Sequence, residues 1–148
     1  MNTAPQQPAR QTPRPEDFPH HAPDIIRLGD LDHQKHVNNA VYATYFETGR
    51  VMMMRQMFGE LSFGSTNFVV ARLELNYLRE LHWPGNVDVG TGVERIGKSS
   101  VVYGQAVFHD GVCAASGRTT MVLIDKATRR STTMPEDILA RLQPLLMR

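Results

Sequence analysis

The stretch AVYATYFETGRVMMMRQMFG, residues 40–59, decides how the rest of the chain is read. Tyr42, Tyr45, Phe46, Gly49, Met53 and Met57 recur at steps of three and four, the spacing of one helix face. Val41, Met52 and Met54 carry the apolar surface onto other faces, so the expectation is a helix covered on most sides. Gly59 supplies its stop, because helices commonly end on a residue with left-handed backbone.

Downstream of this helix the pattern changes. NFVVARLELNYLREL (67–81), NVDVGTGVERIG (86–97), SSVVYGQAVFHD (99–110) and VCAASGRTTMVLID (112–125) are rich in Val, Thr, Leu and aromatics. Between them stand Trp83-Pro84-Gly85-Asn86, Ile96-Gly97-Lys98 and Asp110-Gly111. Turns this short join antiparallel neighbours. KATRR (126–130) reads as a turn followed by a brief polar strand. PEDILARLQPLLMR (135–148) reads as a terminal amphipathic helix, with Pro135 near its first turn and Glu136 and Asp137 at its positive end. Upstream, DIIRLGD (24–30) reads as a short strand. One helix wrapped by one curved antiparallel sheet is an α+β arrangement. A single sheet leaves an edge and a back face open, which predicts self-association into a homodimer.

The remaining composition narrows the classes. A chain of 148 residues suits one domain, and 41% apolar with 21% charged residues supports a packed core. Six of the nine prolines lie in residues 1–23. Residues 1–17 are therefore expected to be a flexible tail and residues 18–148 the single domain, with Phe18 tacking the two together. A net charge of +1 gives nucleic-acid binding no electrostatic basis. Cys113 is the only cysteine, so neither an intrachain disulfide nor a cysteine zinc cage is expected. No apolar run resembles a membrane span or a signal segment, and the expected location is the cytoplasm.

GDLDHQKHVNNAVY (29–42), just ahead of the helix, carries the chemistry. Asp30, Asp32, His33 and His36 offer metal-ligand atoms, but they precede the helix rather than sharing one of its faces, and no metal is expected. Asn38 or Asn39 is a preferred helix cap. The N–H groups at such a helix start carry partial positive charge and can hold an oxyanion. A carboxylate seven residues upstream can face the same point. A carboxylate with an oxyanion donor suffices for an activated acyl group whose leaving group is a thiolate.

The run DLDHQKHVNNAVYATYFETGR (30–50) resembles the signature of the hotdog-fold acyl-CoA thioesterases of the 4-hydroxybenzoyl-CoA thioesterase type. Its HVNN form is most similar to the bacterial long-chain acyl-CoA thioesterase branch. The resemblance continues through RIGKSS, DG and VLIDKATRR and covers roughly residues 24 to 140. It implies a hotdog fold, with one long central helix in a curved antiparallel sheet, in homodimers that pair into homotetramers. It implies hydrolysis of acyl-CoA to free acid and CoA without a cofactor. Asp32 matches the catalytic carboxylate, as nucleophile or general base, and Asn39 the position whose backbone N–H polarises the thioester carbonyl. His36 would orient the loop or touch the thioester. Asn38, Tyr42, Lys98, Ser99, Ser100, Arg129 and Arg130 are candidate substrate-binding residues, with Arg72 a further phosphate candidate. Asp30 is read as structural. Glu47 is a rival carboxylate, or a partner for Arg50 three residues on. Met52, Met53, Met54, Met57 and Phe58 would line or back an acyl pocket. Alternatives are an acyl carrier protein thioesterase, a non-catalytic acyl-CoA-binding hotdog protein, and a hotdog dehydratase. The last would need a histidine in a motif that FPHH (18–21) resembles only superficially.

Overall fold

The computed structural model describes residues 11–59 and 63–148. Residues 1–10 of the expected tail lie outside the described residues. The elements run β1 (His20–Ile26), α1 (Val41–Phe58), β2 (Thr66–Tyr77), β3 (Gly85–Ile96), β4 (Ser100–His109), β5 (Val112–Asp125) and α2 (Glu136–Leu142). The five strands form one antiparallel sheet in the order β1-β3-β4-β5-β2. The long helix against this sheet is the hotdog arrangement.

α1 buries Tyr42, Tyr45, Phe46, Gly49, Arg50, Met53 and Met54, an unbroken stripe at helical spacing. Gly59 ends it with a left-handed backbone and an N–H to the Arg55 carbonyl at 2.8 Å. The helix is not covered on most sides: Val51 and Met52 are exposed. In β3 and β4 every second residue meets α1, so Val87, Val89 and Val107 pack on its first half and Val93, Val101 and Tyr103 on its second. Gly49 marks the closest approach, since a Cβ there would lie 2.6 Å from Val89 Cγ1 and 2.7 Å from Thr91 Oγ1.

Between those two apolar clusters runs a buried polar belt. Arg50 donates to Gln105 Oε1 (3.2 Å) and Thr119 Oγ1 (3.0 Å). Gln105 Nε2 donates to the Phe46 carbonyl (2.9 Å) and Thr91 Oγ1 (3.0 Å). Burial lowers the Arg50 pKa, yet a guanidinium stays charged in proteins. It forms no ion pair with Glu47, contrary to the i, i+3 expectation, because its stripe faces the sheet while Glu47 faces outward.

Three sequence boundaries shift. The first strand is His20–Ile26, not 24–30, and Leu28–Asp30 is a 3-10 turn. Pro23 is tolerated because β1 is an edge strand, bonded among the described residues to β3 alone. The terminal helix stops at Leu142, followed by a 3-10 turn over Gln143–Leu145, since Pro144 has no N–H to continue it. The polar strand after KATRR is a single bridge, Ile124 to Ser131. On the sheet face away from α1, Phe18 packs with Ala106, Phe108 and Cys113.

Candidate active site

Leu31 and Val37 face each other in an antiparallel bridge, and the chain doubles back between them. The Asp32 N–H donates to the His36 carbonyl at 2.8 Å, and the Lys35 N–H to the Asp32 carbonyl at 3.0 Å. Lys35 occupies the tip with a left-handed backbone, φ 63°. The half-buried Asp32 carboxylate closes the loop: Oδ1 accepts the N–H groups of Gln34 (2.8 Å) and His36 (3.3 Å). Oδ2 makes no hydrogen bond among the described residues. One oxygen thus holds the carboxylate in place and the other is open to substrate or water.

The helix start follows at once. The Asn38 N–H donates to the Asp30 carbonyl (2.8 Å), and Asn38 Oδ1 accepts the Ala40 N–H (2.9 Å). Neither asparagine caps α1: the cap position is Ala40, which has no side-chain cap, and the Asn38 side chain instead closes a local turn two residues ahead of it. The Asn39 carbonyl accepts the Tyr77 hydroxyl at 2.9 Å, while the exposed Asn39 N–H has no acceptor among the described residues. Asp30 accepts the Arg27 N–H at 2.7 Å and the Tyr45 hydroxyl at 3.5 Å, which fixes the approach to the loop. Burial, with Asp30 beside it, pushes the Tyr45 pKa up.

The far wall of the loop comes from the segment joining β2 to β3. The Val37 N–H donates to the Leu81 carbonyl at 2.9 Å, and the buried Tyr42 gives its hydroxyl to the Arg79 carbonyl at 3.3 Å. Burial raises the Tyr42 pKa. His36 Nε2 lies 3.3 Å from Glu80 Oε2, and His82 Nε2 lies 3.9 Å from the same oxygen. The metal reading of the sequence looked for ligands inside the loop. Among the described residues the donor atoms that cluster are those of His36, Glu80 and His82. The sequence reading missed Glu80 and His82; their one signal was alternation around Leu81.

Other candidates are not brought to this loop within one chain. Tyr77 marks the loop end of β2, and Thr66, paired with Asp125, marks the other end. Lys98, Ser99 and Ser100 turn from β3 into β4 beside Leu123 and Met134, at that other end. Arg129 and Arg130 follow Asp125 there, in a turn whose Asp125 Oδ1 accepts the N–H groups of Ala127 and Thr128 at 2.9 Å. The Thr128 N–H lowers the Asp125 pKa. The two ends are separated by the length of α1, about 27 Å for its 18 residues. Arg72 bonds Glu74 at 2.8 Å. Met53 and Met54 are core, Met52 is exposed, and Met57 and Phe58 are half-buried. His20 and His21 of FPHH open β1 rather than precede it, and His20 bonds Gln56, not a carboxylate (3.0 Å). A cleft of about 640 Å³ lies on the sheet face away from α1, between Phe18, Glu74, Glu94, Arg118 and Met147. It contains none of the loop residues.

A family model described as the thioesterase-like superfamily matches residues 26–142, from the end of β1 to the end of α2. The chain belongs to the thioesterase-like superfamily. Solved structures of similar shape agree with that placement. A thioesterase from Thermus thermophilus, complexed with coenzyme A and zinc, is 34% identical over 88% of this chain and 96% of its own, with a TM-score of 0.79. A predicted thioesterase from Bacillus stearothermophilus is 29% identical over 87% and 97%, with a TM-score of 0.81. A Pseudomonas aeruginosa protein is 27% identical over 92% and 97%, with a TM-score of 0.85. No curated protein matches the chain. In this thioesterase-like chain no described helix is long and apolar enough to cross a membrane.

Proposed function

We propose that this chain hydrolyses acyl-CoA thioesters to free acid and CoA at the loop before α1. The observation that carries the reading is the Asp32 carboxylate, held through Oδ1, on a loop that runs into the Asn39 N–H, with neither Oδ2 nor that N–H bonded among the described residues. As general base, Asp32 takes a proton from water as the water oxygen bonds to the thioester carbon. As nucleophile, Oδ2 bonds to that carbon itself. In both routes the carbonyl electrons move onto oxygen, and the Asn39 N–H, in the turn just ahead of the positive end of α1, stabilises that oxyanion. The C–S bond then breaks and CoA leaves as thiolate, a leaving group that needs little acid help. The nucleophilic route leaves an acyl anhydride on Asp32, which water hydrolyses to regenerate the carboxylate.

A CoA ligand is supported by the Thermus thermophilus structure, whose coenzyme A complex comes with 34% identity. Placement in the long-chain branch rests on His36-Val37-Asn38-Asn39 alone and belongs to the same proposal. His36 then orients the loop, through its carbonyl and N–H to Asp32.

The site is completed by a second copy. Among the described residues β2 bonds only β5, which leaves one edge of its 12 residues open, with Val70, Leu73 and Tyr77 exposed. Antiparallel pairing of two β2 edges sets the Lys98 and Arg129-Arg130 end of one chain beside the Asp32 loop of the other.

The test is thiol release from a panel of acyl-CoAs. Asp32→Asn should lower turnover on the order of 10²- to 10⁴-fold with acyl-CoA binding unchanged. Full turnover in that variant would remove Asp32 from the mechanism. Acyl-CoA binding without thiol release in the unmodified protein would leave only the binding-protein reading.

A further inference from the structure

We infer that His36, Glu80 and His82 form a binding site for one divalent transition-metal ion of the zinc class, which clips the Asp32 loop to the segment between β2 and β3. The backbone builds this site. Val37 and Leu81 are joined by a hydrogen bond at 2.9 Å, and both side chains are buried, at 3% and 2% exposure. In extended chain, neighbours of a buried residue point the opposite way, and residues two apart share a side. His36 flanks Val37, and Glu80 and His82 flank Leu81, so all three side chains are turned outward to one place.

Their geometry suits an ion. Ligand atoms at about 2.0–2.2 Å from a tetrahedral zinc stand about 3.4 Å from one another. Here Glu80 Oε2 is 3.3 Å from His36 Nε2 and 3.9 Å from His82 Nε2, and all three donor atoms fall within 4.8 Å of one another. The two imidazole rings stand edge to face with centroids 5.0 Å apart, an arrangement that brings two ring nitrogens toward one point without stacking. Two neutral imidazoles and one carboxylate are a borderline-soft set that favours zinc, cobalt, nickel or copper over magnesium or calcium. Three protein ligands leave the fourth tetrahedral position to water, and both Glu80 and His82 have 63% exposed side chains that leave it reachable. The bland alternative is Glu80 bridging two histidines as an ion-pair cluster. It differs in what it binds.

The inference does not depend on Asp32 being catalytic, and its readout is binding. The full chain, without an added histidine tag and stripped by chelator, would be titrated with ZnCl2 by calorimetry at neutral pH, and with CoCl2 by visible absorption. The expected result is one zinc per chain, a raised Tm, and cobalt bands of a four-coordinate N/O site. His82→Asn and Glu80→Gln should each weaken zinc binding at least tenfold, while His33→Asn, which alters a histidine of the same loop outside the set, leaves it unchanged. Circular dichroism of the stripped variants matching the stripped wild type keeps misfolding apart from ligand loss. No zinc binding up to millimolar concentration would overturn the site, as would His82→Asn binding like wild type or His33→Asn losing the ion.

Discussion

At the scale of single residues, Asp32 and Asn39 contribute different parts of themselves. Asp32 works through its side chain and Asn39 through its backbone N–H, so the two respond to different substitutions. Asn39 is the second residue of a turn closed by the Val41 N–H on the Asn38 carbonyl at 2.9 Å, a position where proline is favoured. Asn39→Ala keeps the N–H and should keep turnover within a few-fold. Asn39→Pro keeps the turn but removes the donor, and kcat should fall on the order of 10²- to 10³-fold. Equal kcat in the two variants, measured by thiol release, would rule out the backbone donor. The spacing from Asp32 to Asn39 was legible because both lie on one continuous loop. Glu80 and His82 were not, because their partnership with His36 is made by a long-range backbone bond between Val37 and Leu81. No local pattern announces such a bond.

At the scale of elements, α1 and the four long strands were legible from period and turn chemistry. The Asp110-Gly111 turn, with φ of 49° and 77°, joins β4 to β5 as its residue types predict. β1 was misplaced because prolines and histidines mask a strand whose only buried residues are Ala22 and Ile26. Its register on β3 supplies what its own composition lacks. The depth of the helix on the sheet is set at Gly49. A methyl there would meet Val89 and Thr91 well inside contact distance, so Gly49→Ala should destabilise by about 1–3 kcal/mol despite alanine's better helix propensity. Gly29→Ala, where a Cβ meets nothing within 4 Å, should stay within about 0.5 kcal/mol. Denaturant midpoints of the two variants check the pair, and a stable Gly49→Ala would mean that α1 can lift from the sheet.

At the scale of the whole molecule, the phosphate-binding candidates and the Asp32 loop lie at opposite ends of one chain. Sequence order gives no view of that separation, since it depends on which strand edges stay free. The open edge of β2 is where a second chain would reconcile the two ends. Val70→Lys with Leu73→Lys places charge on that edge, an established way of blocking strand pairing. The expected outcome is a monomer by sedimentation with thiol release lost, and a fully active monomer would refute the shared site. The buried Arg50 has a consequence of a different kind. The apolar residues on either side of it along α1 are broadly exchangeable partners for an apolar sheet. If the helix slid by one turn, about 5.4 Å, apolar side chains would again face apolar strands, though Gly49 would lose its close approach to Val89 and Thr91. Arg50 would then lose Gln105 and Thr119, leaving a buried charge without partners. The polar belt therefore acts as an alignment key, admitting one axial setting of the helix, the setting that delivers its first turn to the Asp32 loop.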